Sequence, residues 1–287
     1  MEKIVRQYAV LVKPGIVVGN LLTMIAGFAT ASQGRWDFPL FIWTLFGLSC
    51  VIMSGCIWNN FIDREIDEKM ERTKNRPLVT KQIPLFKAQL LGAILSVIGF
   101  FALFLGTNIM AAFTAIFGLT IYVFAYSFGK YRFSESTLIG AIAGATPPVV
   151  GYSAVSGRVD FVAFLLFLLV VFWQMPHFFA IAIYRFHDYA KASIPLLPIK
   201  EGIFITKVAM LVYLVGYALV CMILAPYVLI LNIAWIAFAI YGFFLKGQNK
   251  VDSIPSIEDI QWAKKMFFFS LAAVLFTSTS LVISSFL

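Results

Sequence analysis

Asn59, Asp63 and Asp67 fall at intervals of four in NNFIDREIDEKMERTKNRP, residues 59–77. On a helix, residues four apart share a face. An amide and two carboxylates would then form one stripe about 12 Å long, at ~1.5 Å of rise per residue. Two like charges one turn apart repel by roughly 0.2–0.5 kcal/mol in an ordinary helix. Where solvation is reduced the repulsion grows, so something positive has to answer it. Two readings are open. Arg64, Lys69 and Arg72 can complete a structural charge network. Alternatively the stripe holds a divalent cation, which makes Asn59, Asp63 and Asp67 candidate metal ligands. Mg²⁺ takes oxygen ligands, typically one or two carboxylates, and fills its other positions with water and substrate phosphate oxygens. The basic run RTKNRP just downstream would then offer Arg72, Lys74 and Arg76 to those phosphate oxygens. Arginine suits that task because its planar fork binds phosphate bidentately. The chain has no Walker loop and no GxGxxG, so a nucleotide is not indicated.

The elements that must position this stripe are membrane helices. Of 287 residues, 61% are hydrophobic and 13% charged, with a mean hydropathy of +0.91. A soluble domain is about half apolar and about a quarter charged. Apolar runs long enough to cross a bilayer predict an all-α polytopic bundle with nine spans, at 14–34, 38–58, 86–106, 108–128, 136–156, 161–183, 203–224, 227–245 and 266–286. The whole of 1–287 reads as a single transmembrane domain. Two connections stand out for length and polarity, 59–85 and 184–202; a third, 246–265, is polar but lacks the acidic spacing. Gly140 and Gly144 have small-xxx-small spacing for close helix packing, and Pro147–Pro148 should kink the fifth span.

Charge sets the expected orientation. With the N-terminus in the cytoplasm, only Arg35 and Arg158 of the 22 Lys and Arg fall on the opposite side. That bias predicts a cytoplasmic N-terminus and a periplasmic C-terminus, and it accounts for the net charge of +8 without nucleic acid. MEKIVRQYAVLVKPG shows no cleavage site and reads as a cytoplasmic stub, which favours a bacterial inner membrane. Cys50, Cys56 and Cys221 all lie in apolar runs and read as small buried residues, not a disulfide framework.

The second long connection follows span six, in the stretch WQMPHFFAIAIYRFHDYAKASIPLLP, residues 173–198. It too ends in Pro-Leu, and the offset between the two Pro-Leu pairs carries Asn59 onto His177, a thin hint of a repeat between 14–128 and 136–245. The connection holds Asp188, with Arg185, Lys191 and Lys200 able to grip a diphosphate. The two histidines differ. His187 lies in the connection and reads as a surface residue. His177 lies inside span six, where ionisable groups are costly and usually functional. At this point it is open between a ligand contact and a hydrogen bond to a neighbouring helix.

NNFIDREID resembles the Asn-Asp-x-x-Asp-x-x-x-Asp signature of the UbiA-type intramembrane prenyltransferases, with Asn60 where many members have Asp. Many members also carry a second Asp-x-x-x-Asp, which this chain lacks, since position 192 is not acidic. VKPGIVVGN, DREIDEKMERTKNRPL, GATPPVVGY and WQMPHF…DY…IPLLP together resemble one branch closely, the protohaem IX farnesyltransferases or haem O synthases. The likeness runs from about Lys13 to Lys265.

The resemblance implies a nine-helix bundle that moves a farnesyl group from farnesyl diphosphate to a vinyl group of haem b, with Mg²⁺ as cofactor, for biogenesis of haem-copper terminal oxidases. It implies catalytic roles for Asn59, Asp63, Asp67, Arg72 and Arg76. It implies substrate contacts from Lys74, Trp173, His177, Arg185, Asp188, Tyr189 and Lys191, with His177 touching haem axially or at its edge. Besides the bilayer, haem A synthase or the oxidase assembly apparatus would be the implied protein partners. Two rivals belong to other classes. One is prenylation of an aromatic quinone precursor; the missing second motif and WQMPH argue against it. The other is transport or lipid binding without chemistry; the clustering of acids at one helix end argues against that.

Overall fold

A computed structural model describes residues 2–245 and 254–287. The start of the third polar connection, with Lys246 and Lys250, lies outside the described residues. Helix α1 (Glu2–Val12) precedes α2 (Pro14–Ser32), α3 (Phe38–Asp67) and α4 (Leu85–Gly106). Helix α5 (Ile109–Thr120) passes through a π-helical turn, Ile121–Tyr126, into α6 (Ser127–Gly129). Then come α7 (Ser136–Gly144), α8 (Thr146–Ser156) and α9 (Phe161–Tyr184). The short α10 (Phe186–Lys191) and α11 (Leu197–Lys200) lead to α12 (Gly202–Leu224), α13 (Leu229–Tyr241) and α14 (Ile257–Ser284). Among the described residues, nine helical segments are long and apolar enough to cross a membrane, and they coincide in order with the nine expected spans.

Two boundaries differ from the expectation. The second span does not stop near residue 58. Helix α3 runs unbroken to Asp67, so the acidic stripe is the last two turns of a membrane helix. The last span begins at Ile257, not near 266. Ser256 and Asp259 form a capping box there, each side chain bonding the other's backbone N–H. Caps also explain where α3, α5 and α9 begin: Asp37, Asn108 and Asp160 accept from first-turn N–H groups. In the fifth span the helix breaks at Ala145, and Pro147 and Pro148 sit in the first turn of α8, where the missing N–H costs nothing.

Helix α2 crosses α8 so closely that a Cβ on Gly27 would lie 2.0 Å from the Pro148 carbonyl oxygen. Only glycine permits that approach, which is how TM helices gain van der Waals contact. Around this crossing α2, α3, α4, α5 and α8 share one apolar cluster built on Met24, Phe28, Leu48, Leu103, Ala112 and Val150. A second cluster joins α9, α12, α13 and α14 through Leu166, Met210, Tyr217, Trp235 and Met266. Helices α2 and α14 pack together and join the two groups.

Candidate functional site

The last turns of α3 bury their polar stripe. Asn59, Asp63 and Asp67 are 4%, 6% and 1% exposed, whereas Glu65 and Glu68 on the other face are exposed. A buried carboxylate needs a partner, and each member of the stripe has one from outside the helix. Lys13 Nζ donates to Asn59 Oδ1 at 2.7 Å. Lys130 Nζ donates to Asp63 Oδ2 at 2.5 Å, and the Tyr131 hydroxyl donates to Asp63 Oδ1. Arg76 donates to Asp67 Oδ2. The charge network suggested by Arg64, Lys69 and Arg72 is not the one that forms. Arg64 bonds the Phe61 carbonyl at 2.9 Å and Glu65 at 2.8 Å, while Lys69 and Arg72 are exposed. Arg64 is one residue from Asp63, and helix neighbours one apart do not share a face; side chains arriving from other elements can meet the stripe.

Backbone irregularities deliver those side chains. Lys13 lies at φ 53°, between α1 and α2. A left-handed lysine is uncommon and costs energy; the following Pro14 discourages a continuous helix there. The break turns Lys13 toward Asn59. Lys130 and Tyr131 follow the π-helical turn, a feature that recurs at functional sites because it re-aims side chains. The same turn stacks Tyr122 on Tyr126, centroids 5.5 Å apart, and Asn59 Nδ2 donates to Ser127 Oγ at 3.2 Å. Lys130 Nζ lies 5.3 Å from the centroids of both Tyr126 and Tyr131.

Burial, followed by the Arg76 charge, pulls the Lys13 ammonium down to about 8. Burial also lowers Lys130, and the Asp63 charge opposes it. Burial and then Asp63 raise the Tyr131 phenol, so it stays a hydrogen-bond donor. Two carboxylates meet three cations here, so the end of α3 carries an excess of positive charge beside oxygen ligands. That suits an anion brought with a metal. The donor set fits Mg²⁺, whose needs are oxygen ligands and few carboxylates.

One turn before Asn59, Cys56 lines a cavity of about 380 Å³. Tyr122 and Tyr126 line it together with Leu48, Val51, Leu119 and several glycines. His177, Trp173 and Gln174 of α9 face the same cavity. Trp173 Nε1 donates to the Ser270 carbonyl at 2.6 Å, and His177 Nδ1 lies 2.7 Å from Ser270 Oγ. The two rings stack, with centroids 5.2 Å apart. His177 thus bonds a neighbouring helix and lines the cavity at once, so its two readings are compatible.

The two long connections meet over the stripe. Met70 packs with Ala192 and Ile194, flanked by Ile66, Tyr189 and Leu196. Tyr189 packs against the cluster of Met70, which precedes Arg72 in the chain. Other expected residues are elsewhere engaged. Lys74 pairs outward with Glu71 at 2.5 Å, Asp188 lies 3.9 Å from Arg185, and Lys191 is exposed. Sequence reasoning passed over Lys13, Lys130, Tyr131, Tyr122 and Tyr126. The i, i+4 tyrosines of YVFAY, followed by Lys130–Tyr131 at a span end, were the available signal.

Comparison with known proteins places the chain in a family. Residues 20–279 match the UbiA prenyltransferase family. A relative from Protochlamydia amoebophila, named protoheme IX farnesyltransferase, is 44% identical over 94% of this chain and 95% of its own. Another of that name, from Klebsiella pneumoniae, is 42% identical over 97% of this chain and 94% of its own. A structure of a digeranylgeranylglyceryl phosphate synthase superposes with a TM-score of 0.74 at 21% identity, covering 99% of this chain and 100% of that one. A UbiA homologue from Archaeoglobus fulgidus bound to GPP and Mg²⁺ gives 0.65 at 16% identity, over 96% of this chain and 99% of that one. Such low identities speak for the shared fold alone; the sequence match over most of the length is what shows that this chain belongs to the UbiA prenyltransferase family.

Proposed function

We propose that this protein transfers the farnesyl group of farnesyl diphosphate to a vinyl group of haem b and that water adds to the resulting cation, giving the hydroxyethylfarnesyl group of haem O, with release of diphosphate. The observation that carries the reading is the end of α3: two buried carboxylates and an amide, each met by a cation or donor from another element, one turn beyond Cys56, which lines the same cavity as His177. The relatives of more than 40% identity named for this activity support the acceptor.

In this reading Asn59, Asp63 and Asp67 would hold Mg²⁺. When bound, the ion neutralises charge on the departing diphosphate. Lys13, Lys130, Arg76 and Tyr131 present N–H and O–H donors at the same place, and Arg72 reaches it from the exposed side. Donors fixed in a poorly solvated site stabilise developing charge better than water, because they need no reorganisation. The farnesyl chain occupies the cavity below, which Tyr122 and Tyr126 line. Trp173 and His177 offer haem an aromatic edge contact. Tyr189 closes the site from the second connection, with Asp188, Arg185, Lys191 and Lys74 around its margin. The protein spans a bacterial inner membrane with its N-terminus and both connections cytoplasmic. Its product serves haem-copper terminal oxidases, with haem A synthase or the oxidase assembly apparatus as recipients.

The test is a radiolabelled farnesyl diphosphate assay with purified protein, Mg²⁺ and either haem b or an aromatic quinone-precursor acid. Label in haem is the expected result. Label in the aromatic acid alone would overturn the acceptor, and no transfer to either would overturn the reaction.

A further inference from the structure

Gln174 lies in an apolar membrane helix, is 8% exposed and lines the cavity, yet its Oε1 has no hydrogen-bonding partner in the protein. A buried amide oxygen left unpaired costs about 1–3 kcal/mol. The fold makes room for this group instead of satisfying it. A Cβ at Gly144, where α7 ends, would lie 2.4 Å from Gln174 Nε2 and 2.6 Å from Oε1. One turn further along α9, on the same face, is His177. Ser270 Oγ donates its one proton to the Phe267 carbonyl at 2.5 Å. It must then accept from His177 Nδ1–H across their 2.7 Å contact. The hydrogen-bond network therefore assigns the proton to Nδ1 and leaves a lone pair on Nε2.

We infer that Gln174 and His177 Nε2 hold the water molecule that supplies the hydroxyl group of the product. The inference rests on the farnesyl-transfer reading above and says how that reaction ends. The C–O bond of farnesyl diphosphate breaks, and its electron pair leaves with the diphosphate. The vinyl π pair forms the new C–C bond and leaves a cation on the carbon next to the porphyrin ring. The water oxygen adds its lone pair to that carbon. One water hydrogen is held by Gln174 Oε1. The other passes as a proton to His177 Nε2 and departs with the released diphosphate, which closes the balance. Buried waters typically need about three hydrogen bonds; the amide oxygen, the amide N–H₂ and the imidazole can supply them. A water fixed at one wall adds to the second cation without bathing the first.

The test reads product identity, not rate alone. Purified protein is supplied with farnesyl diphosphate, haem b, Mg²⁺ and heavy-oxygen water, and the haem products are resolved by mass spectrometry. Wild type should give the labelled alcohol. In Gln174→Leu and Gln174→Met the cation should lose a proton from carbon instead, giving an alkene one water lighter. The alkene-to-alcohol ratio should rise at least about tenfold, the worth of one hydrogen bond, while diphosphate release stays within about threefold. Gln174→Glu, which keeps an acceptor oxygen, should keep the alcohol. If the apolar variants do not insert, Gln174→Asn, which withdraws the amide by one methylene, is read by the same ratio. A wild-type ratio in every active variant overturns the inference. So does normal farnesyl diphosphate binding with no diphosphate release, because the amide would then act before the water step. Failure of the wild type to farnesylate haem overturns the reaction itself, a distinct result.

Discussion

Lys130 donates to Asp63 at 2.5 Å across 67 positions of sequence, with both side chains about nine-tenths buried. The pair ties the α5–α6 arm to the end of α3, and Tyr131 takes the other oxygen of the same carboxylate. Removing one partner of a buried pair leaves an uncompensated charge, at about 3–5 kcal/mol. Lys130→Met should therefore lower the melting temperature in detergent and reduce turnover at least about a hundredfold. Lys130→Arg should recover part of both. A Lys130→Met protein that melts and turns over like wild type would remove this contact from the site.

Asp63→Asn and Asp67→Asn should each abolish most turnover while the protein still inserts. Loss of a surface ion pair is worth only about 0–1 kcal/mol. Loss of a metal ligand should exceed the roughly 10–100-fold cost of disturbing even an outer-shell partner. Chelation of divalent ions should silence the wild type reversibly. Activity within about threefold of wild type at saturating Mg²⁺ would assign the stripe to charge pairing alone.

His177→Ala should weaken haem b binding and leave farnesyl diphosphate binding nearly unchanged. His177 lines the cavity within α9, while Asp63 and Arg76 mark the diphosphate end. Titration of each substrate separately checks this. Edge contact predicts weaker binding with little change in the Soret band; a large shift would instead mean axial ligation. Equal loss of both affinities would mean that the variant disturbs the bundle.

Single cysteines introduced within 66–75 and at Gly157 should differ in labelling by an impermeant thiol reagent in intact spheroplasts. The Gly157 site should label, since Arg35 and Arg158 alone break the positive bias of the other side. Preferential labelling of the 66–75 site would invert the orientation.

The sequence by itself determined the class of molecule, the number and order of its spans, and the α3 stripe. These follow from local properties: apolar runs of bilayer length, and a fourfold spacing that any helix converts into a face. It did not determine what answers the stripe's charge. The nearby cations Arg64, Lys69 and Arg72 were the local candidates, but a helix places them elsewhere, and Lys13, Lys130 and Arg76 arrive from other elements. The arrival of Lys13 and Lys130 depends on a left-handed lysine and a π-helical turn, which no periodicity announces. Nor did sequence set Gln174 apart from its apolar neighbours. Its unpaired amide exists only because α7 ends at Gly144 against α9, and hydrogen-bond satisfaction is a property of the packed chain, not of the residue.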